Sequence, residues 1–409
     1  MRTLIPLAAM AGSLALAAPV SAEITRAPAV KTQQPFKVET IAQGLVHPWG
    51  LGFLPDGRLI VTERPGRVRI IATTGALSTP VRGVPRVYAN GQGGLLDVAL
   101  SPDFTTTRLI YLAYAEPRGG TKNGTSLARG KLVAEGDGAR LDEVEVIFRQ
   151  DPSYASSMHF GSRIVFARDG SLFLTLGERY SAREQAQNPG NHLGKLVRLM
   201  PDGSPYAGNP KKDGWRSEIW SIGHRNVQGA ALNPASGKLW TIEHGARGGD
   251  EINIPQAGKN YGWPVITYGR DYNYAKIGEG THKAGMEQPI YYWDPSIAPS
   301  GAAFYTGELF PEWKGNLFVG AQALKALEPG LMTSNAPAQP TATAVQRRQA
   351  TRSPRNSADA AVRLSGVICR MPIKSAKGMR ASAAWKKTAL PTSPTDRQPT
   401  PPMSASLSR

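Results

Sequence analysis

Ser162-Arg-Ile-Val-Phe-Ala-Arg-Asp-Gly-Ser-Leu-Phe-Leu-Thr175 sets two short apolar runs on either side of an Asp-Gly turn. That spacing predicts a β-hairpin, because Asp and Gly tolerate the turn backbone that reverses a chain between paired strands. The same plan recurs in Gly50-Leu-Gly-Phe-Leu-Pro-Asp-Gly-Arg-Leu-Ile-Val-Thr62 and in Leu96-Asp-Val-Ala-Leu-Ser-Pro-Asp103 followed by Leu109–Tyr114. It recurs again in Gly229–Thr241 and in Gly301–Gly307 followed by Gly315–Gly320. Five hairpin cores at intervals of roughly fifty to seventy residues predict an all-β chain built of propeller blades with elaborated loops.

Composition narrows the chemistry. The chain has 409 residues and one cysteine, Cys369, which excludes an intrachain disulfide and a tetracysteine metal or iron–sulfur site. No Cys-x-x-Cys-His is present for covalent haem, so redox chemistry would need a noncovalent cofactor. The net charge of +17 first suggests a nucleic-acid protein, but residues 329–409 hold thirteen Lys or Arg against Asp359 and Asp396. Charge concentrated in a Pro-, Ser-, Thr- and Ala-rich tail is not a basic folded face with aromatics between, so nucleic-acid binding is not expected. Arg2, the apolar stretch Leu4–Val20 and the small-residue ending Val20-Ser21-Ala22 predict an export signal over residues 1–22, hence a periplasmic protein with no stable membrane insertion.

The densest chemistry lies in Gly223-His-Arg-Asn-Val-Gln-Gly229, Glu243-His-Gly-Ala-Arg-Gly-Gly-Asp-Glu-Ile-Asn253 and Asn260-Tyr-Gly-Trp263, with His159-Phe-Gly-Ser-Arg163 upstream. His159 suits a general base, since an imidazole titrates near neutral pH. Read alone, such a residue is more often a hydrogen-bonded structural histidine than a catalytic one. Arg225 and Asn226 together offer a cation and an amide, as a carboxylate-rich ligand would require; a salt bridge from Arg225 to Asp250 or Glu251 is the plainer alternative. No Gly-x-Gly-x-x-Gly opens a helix, which removes Rossmann-type nicotinamide binding. Neither a His-x-x-x-His zinc pair nor a Gly-x-Ser-x-Gly elbow is present.

These motifs, in this order, resemble the soluble quinoprotein sugar dehydrogenases of the glucose/sorbosone dehydrogenase family over about residues 36–327. The resemblance implies a six-bladed β-propeller over residues 23–328 that uses pyrroloquinoline quinone and Ca2+ to oxidise the C1 hydroxyl of aldose sugars to lactones. The electron acceptor would be a quinone or cytochrome. By the same resemblance His159 is the base, and Gln92, Arg225, Asn226 and Tyr272 face the quinone. Carbonyls of Gly245 and Ala246 would hold one calcium, and Glu251, Tyr261 and Asp271 a second. The sequence departs from the family at Ser162, Val227 and Ala246.

It also departs after residue 327, where a sixth blade and its cofactor-contacting arginines should follow. Residues 329–409 instead have the composition of a disordered segment or of out-of-frame translation. Arg347, Arg348 and Arg363 lie there without a strand pattern. The alternatives are therefore a catalytically impaired or purely binding propeller of the same lineage; a calcium-dependent lactonase is disfavoured by the lack of a compact carboxylate cage.

Overall fold

The computed structural model describes residues 39–322 apart from residue 137, with short strand pieces at 24–25, 331–332, 343–344, 361–364 and 367–370. The export signal expected over 1–22 and most of the tail after 329 lie outside the described residues. One compact unit, residues 1–375, contains everything described.

All five predicted hairpin cores form. The first sheet contains β1 (Pro48–Phe53), β2 (Leu59–Glu63) and β3 (Arg67–Ile71); the second β4 (Leu95–Leu100), β5 (Leu109–Pro117), β6 (Asn123–Glu135) and β7 (Gly138–Arg149). The third contains β8 (Gly161–Phe166), β9 (Leu172–Leu176), β10 (Lys195–Leu199) and β11 (Ile219–Ile222). In the fourth, β12 (Val227–Leu232), β13 (Leu239–Glu243), β14 (Asp250–Asn253) and β15 (Tyr291–Trp293) are joined at one edge by the parallel piece Ile24–Thr25. A hairpin of β16 (Pro299–Phe304) and β17 (Leu317–Ala321) follows. Strands pair antiparallel and in sequence order within each sheet, giving four blade-like sheets in a propeller-like arrangement with a fifth hairpin.

The repeat is deeper than the turn pattern. The first strand of each unit carries a register shift near its start: Pro48/Leu51, Leu95/Val98, Gly161/Ile164, Val227/Gly229 and Pro299/Ala302. A bulge bends a strand and re-aims the side chains beside it, so each blade turns its entry strand in the same way.

Much of the core lies between blades, with smaller clusters inside the first blade and the fifth hairpin. Leu54, Ile60 and Val68 of the first sheet pack on Leu95, Ile110 and Leu112 of the second. Tyr111 and Leu127 continue onto Leu172 and Leu174 of the third, and Ile242 and Trp293 of the fourth meet Leu317 and Val319 of the hairpin. Every residue of β2 and β9 is buried, the polar Thr62, Glu63 and Thr175 included. Each fully buried Leu or Ile contributes about 1.5–3 kcal/mol through removal from water.

Polar stitches join the same surfaces. Thr62 Oγ1 donates to Leu96 O (2.5 Å), Asp97 Oδ2 accepts from Ile164 N–H (3.0 Å), and Thr175 Oγ1 donates to Val227 O (2.9 Å). Within the tail, Ala361–Leu364 and Val367–Arg370 form a hairpin whose second strand pairs with Glu39–Thr40. Arg363 therefore falls in a strand that its sequence context did not suggest.

Candidate active site

Strand ends build the site. Residues just before β8 and just after β9 come together because Gly177 has no Cβ: one placed there would lie 2.0 Å from His159 O. His159, Arg179 and Tyr180 all hold left-handed backbone, with φ of 52°, 69° and 68°. Non-glycine residues in this region are strained and persist only where surrounding contacts over-determine them, a condition concentrated at functional sites.

Those contacts are specific. His159 is 4 % exposed. Its N–H donates to Gln92 Oε1 (2.8 Å), its Nδ1 lies 2.9 Å from Glu178 Oε2, and its carbonyl accepts from Arg179 Nη1 (3.3 Å). The carboxylate fixes the tautomer with hydrogen on Nδ1, which leaves Nε2 as the basic nitrogen. Burial pushes the imidazole below its ordinary value; Glu178 opposes this, while Arg225 and Arg179 reinforce it. The ring is therefore neutral, and able to accept a proton, at neutral pH.

Arg225 stands beside it on the turn before β12. Its backbone N–H donates to Glu243 Oε2 (2.7 Å), and its guanidinium reaches His244 O (3.2 Å) and Tyr272 OH (3.4 Å). Its Nε is buried without a hydrogen-bond partner. The alternative of a bridge from Arg225 to Asp250 or Glu251 does not form. Asp250 is occupied by the N–H groups of Gly245, Ile297 and Ala298 and by Ser296 Oγ. Asn226 Oδ1 accepts from Gly161 N–H (3.1 Å), tying the arginine turn to the histidine strand.

The structure thus brings His159, Gln92, Arg225, Asn226 and Tyr272 into one neighbourhood. A cleft of about 270 Å³ opens there, lined by Glu178, Tyr180, Arg225, Ala246, Trp263 and Tyr272 among others. Asp271 also lines it, held to Arg183 Nη1 at 3.1 Å. Tyr272 N–H, then Arg183, keep the Asp271 carboxyl below the usual range.

Glu251 and Tyr261 occupy a different layer from Asp271. Glu251 faces Glu243 directly across β13 and β14, and Asn253 Nδ2 donates to both carboxylates. Burial, then the Glu243 charge, push Glu251 well above the usual carboxylate range. Tyr261 stacks on His224 with centroids 5.0 Å apart, and its OH donates to Ile254 O. Ser221 Oγ, His224 and Glu243 Oε1 form a hydrogen-bonded chain at 2.8 and 3.1 Å. Ser221 and His224 are both 0 % exposed, so this chain holds the Arg225 turn and meets no substrate. Among the described residues, no group of three or more His, Cys, Asp or Glu is placed to hold a metal.

Sequence reading missed Glu178, Arg179 and Tyr180. The available signal was the polar run Gly177-Glu-Arg-Tyr180 directly after the apolar-rich β9. A larger recess of about 400 Å³ lies at the far strand ends, by the Asp169-Gly170 turn, but its Arg198 is already paired with Asp169 and covered by Phe173, Tyr206 and Trp220.

Residues 45–363 match the Glucose / Sorbosone dehydrogenase family, a span that runs past residue 327. The aldose sugar dehydrogenase YliI of Escherichia coli (strain K12) is 48 % identical over 289 residues, covering 69 % of this chain and 77 % of that one. The apo crystal structure of the soluble aldose sugar dehydrogenase from Escherichia coli superposes with a TM-score of 0.71 at 45 % identity, covering 75 % of this chain and 88 % of that one. The quinone-bound aldose sugar dehydrogenase of Streptomyces coelicolor gives 0.62 at 28 % identity, covering 76 % and 85 %. On both the family match and these identities, the chain belongs to the glucose/sorbosone dehydrogenase family.

Proposed function

We propose that this protein is a periplasmic dehydrogenase that oxidises the C1 hydroxyl of aldose sugars to lactones with pyrroloquinoline quinone and calcium. One observation carries the reading: a neutral, carboxylate-oriented imidazole stands beside a buried guanidinium that has no carboxylate partner among the described residues and an unspent Nε–H. A buried cation left unpaired is costly unless a ligand completes it. The tricarboxylate quinone fits that requirement, with Arg225, Asn226 and Tyr272 holding it and Gln92 keeping the histidine loop in place.

When bound, the quinone supplies the acceptor for the hydride that leaves C1. The chain's own task is the proton. His159 Nε2 takes it from the C1 hydroxyl, and Glu178 stabilises the imidazolium so formed. Arg225 supplies a fixed positive charge toward the anionic ligand without reorganisation during the reaction. For calcium, the main-chain carbonyls of Ala246, which lines the cleft, and of the preceding Gly245 are suitable oxygen donors. The facing carboxylates Glu243 and Glu251 suit a second hard cation, which would relieve their mutual repulsion. Asp271 belongs with the cleft and Arg183 in this reading. A six-bladed ring, export by residues 1–22 and a quinone or cytochrome acceptor complete the proposal.

Sugar-dependent dye reduction by the full chain, with quinone and calcium each added or withheld, tests it. Activity should require both additions, and His159→Ala should lose about 10²–10⁴-fold in kcat. A folded chain that reduces no dye under any condition would favour the impaired-relative reading.

A further inference from the structure

The cleft has an aromatic wall that the proton chemistry does not use. Tyr180 is 44 % exposed and Tyr272 is 54 % exposed, large apolar areas to leave open on a folded surface. Both line the cleft. Tyr272 is tethered through its hydroxyl to Arg225, which commits it to the guanidinium side. Tyr180 is on the histidine side: its ring stands edge-to-face against the His159 imidazole, 5.3 Å between centroids at 81°.

Backbone contacts fix where that ring sits. The Tyr180 N–H donates to Glu178 Oε2, the same oxygen that holds His159 Nδ1. Tyr180 and its neighbour Arg179 pay for this position with left-handed backbone, and Arg179 is anchored by Asn123 Oδ1 and by its guanidinium over the Phe160 ring (3.6 Å). A strained residue, held by its own backbone and by an anchored neighbour, that nevertheless leaves its ring in solvent is shaped for a ligand, since packing alone would have buried the ring.

Resting on the dehydrogenase reading above, we propose that Tyr180 is the specificity-determining platform for the aldopyranose: its ring face packs against the C–H face of the sugar and sets C1 beside His159. Pyranoses present axial C–H groups on one face, which suit the negative face of an aromatic ring; open-chain alditols present no such face. One carboxylate oxygen then registers base and platform together, so that substrate seated on the ring is aligned with the nitrogen that deprotonates it.

The test compares wild type, Tyr180→Ala and Tyr180→Phe in the full chain reconstituted with quinone and calcium. Tyr180→Ala should raise KM for D-glucose about tenfold while kcat stays within about threefold, and Tyr180→Phe should restore KM to within about threefold. Saturation-transfer NMR of D-glucose on the quinone-free protein should show transfer to the sugar ring protons in wild type and lose it in Tyr180→Ala. A quinone fluorescence titration should give the same affinity in all three proteins. Unchanged KM with reduced kcat in Tyr180→Ala would overturn the platform and make the residue a support for His159. Weakened quinone binding would overturn it in favour of cofactor contact. A wild type that neither oxidises nor binds aldoses would remove the dehydrogenase reading itself, and the platform with it.

Discussion

His159 has two ring nitrogens and only one of them can be the base. Glu178 makes the choice, and it also sets the pH at which the base operates. Burial lowers the imidazole below its ordinary value of about 6.5, and the Glu178 charge partly restores it. A base must be unprotonated to work, so wild-type kcat/KM should be flat above neutrality and fall only on the acid side, with a midpoint below that of free histidine. Glu178→Gln removes the restoring charge, and its acid limb should therefore move to still lower pH. The rate at neutral pH should fall by about 10² because the tautomer is no longer fixed. A pH–rate profile of the two proteins decides this: an acid limb that moves upward, or a variant as fast as wild type, would show that Glu178 does not act through the histidine.

At the scale of elements, the cleft wall on the side of Arg183 depends on a buried lysine. The short 3-10 turn Arg183–Gln187 carries Arg183 to Asp271 and Gln187 to Trp263 O (2.7 Å). Such a turn has little stability of its own. Lys195, at the head of β10 and 0 % exposed, holds it by donating from Nζ to Gln185 O (2.8 Å), Ala186 O (3.0 Å) and Leu193 O (2.6 Å). Lys195→Met keeps the length of the side chain but leaves three carbonyls without a donor, so it should cost about 2–4 kcal/mol in urea unfolding. A loss below about 0.5 kcal/mol would mean that water replaces the ammonium at no cost. Nothing in the sequence marked this lysine, because its partners are main-chain carbonyls that have no sequence signature. The hairpins were legible because Asp169-Gly170 and its counterparts state their turn chemistry locally. The five recurrent bulges were not, since a bulge depends on pairing between strands and not on the residues of one strand. The resemblance grouped Glu251, Tyr261 and Asp271 at one cation site; strand register sets Glu251 against Glu243, and a loop takes Asp271 to Arg183. Glu178 lacked only a motif: its position after an apolar strand was visible, its partner was not.

Across the whole molecule, one side chain ties the blades to the site. Arg163 leaves β8 of the third blade and donates from Nη1 to Asp97 Oδ1 of the second (3.2 Å) and from Nε to Gln228 O of the fourth (2.5 Å). Its guanidinium also lies 4.0 Å over the Trp49 ring of the first. Blades in this fold touch mainly their neighbours, so a single group that reaches four of them is a cross-brace near the strand starts, where His159 and Arg225 also sit. Being 6 % exposed and paired to a buried aspartate, it is costly to remove on its own. Arg163→Met should destabilise the protein by about 3–5 kcal/mol, because the buried Asp97 loses the guanidinium paired with it. Adding Asp97→Asn removes the carboxylate charge while retaining an acceptor for Ile164 N–H, and should recover part of the loss. Denaturant melts of the two singles and the double give the coupling directly, as a departure from additivity. Additive losses, or a single-variant loss below about 1 kcal/mol, would show instead that the apolar layers between blades hold the assembly without the brace.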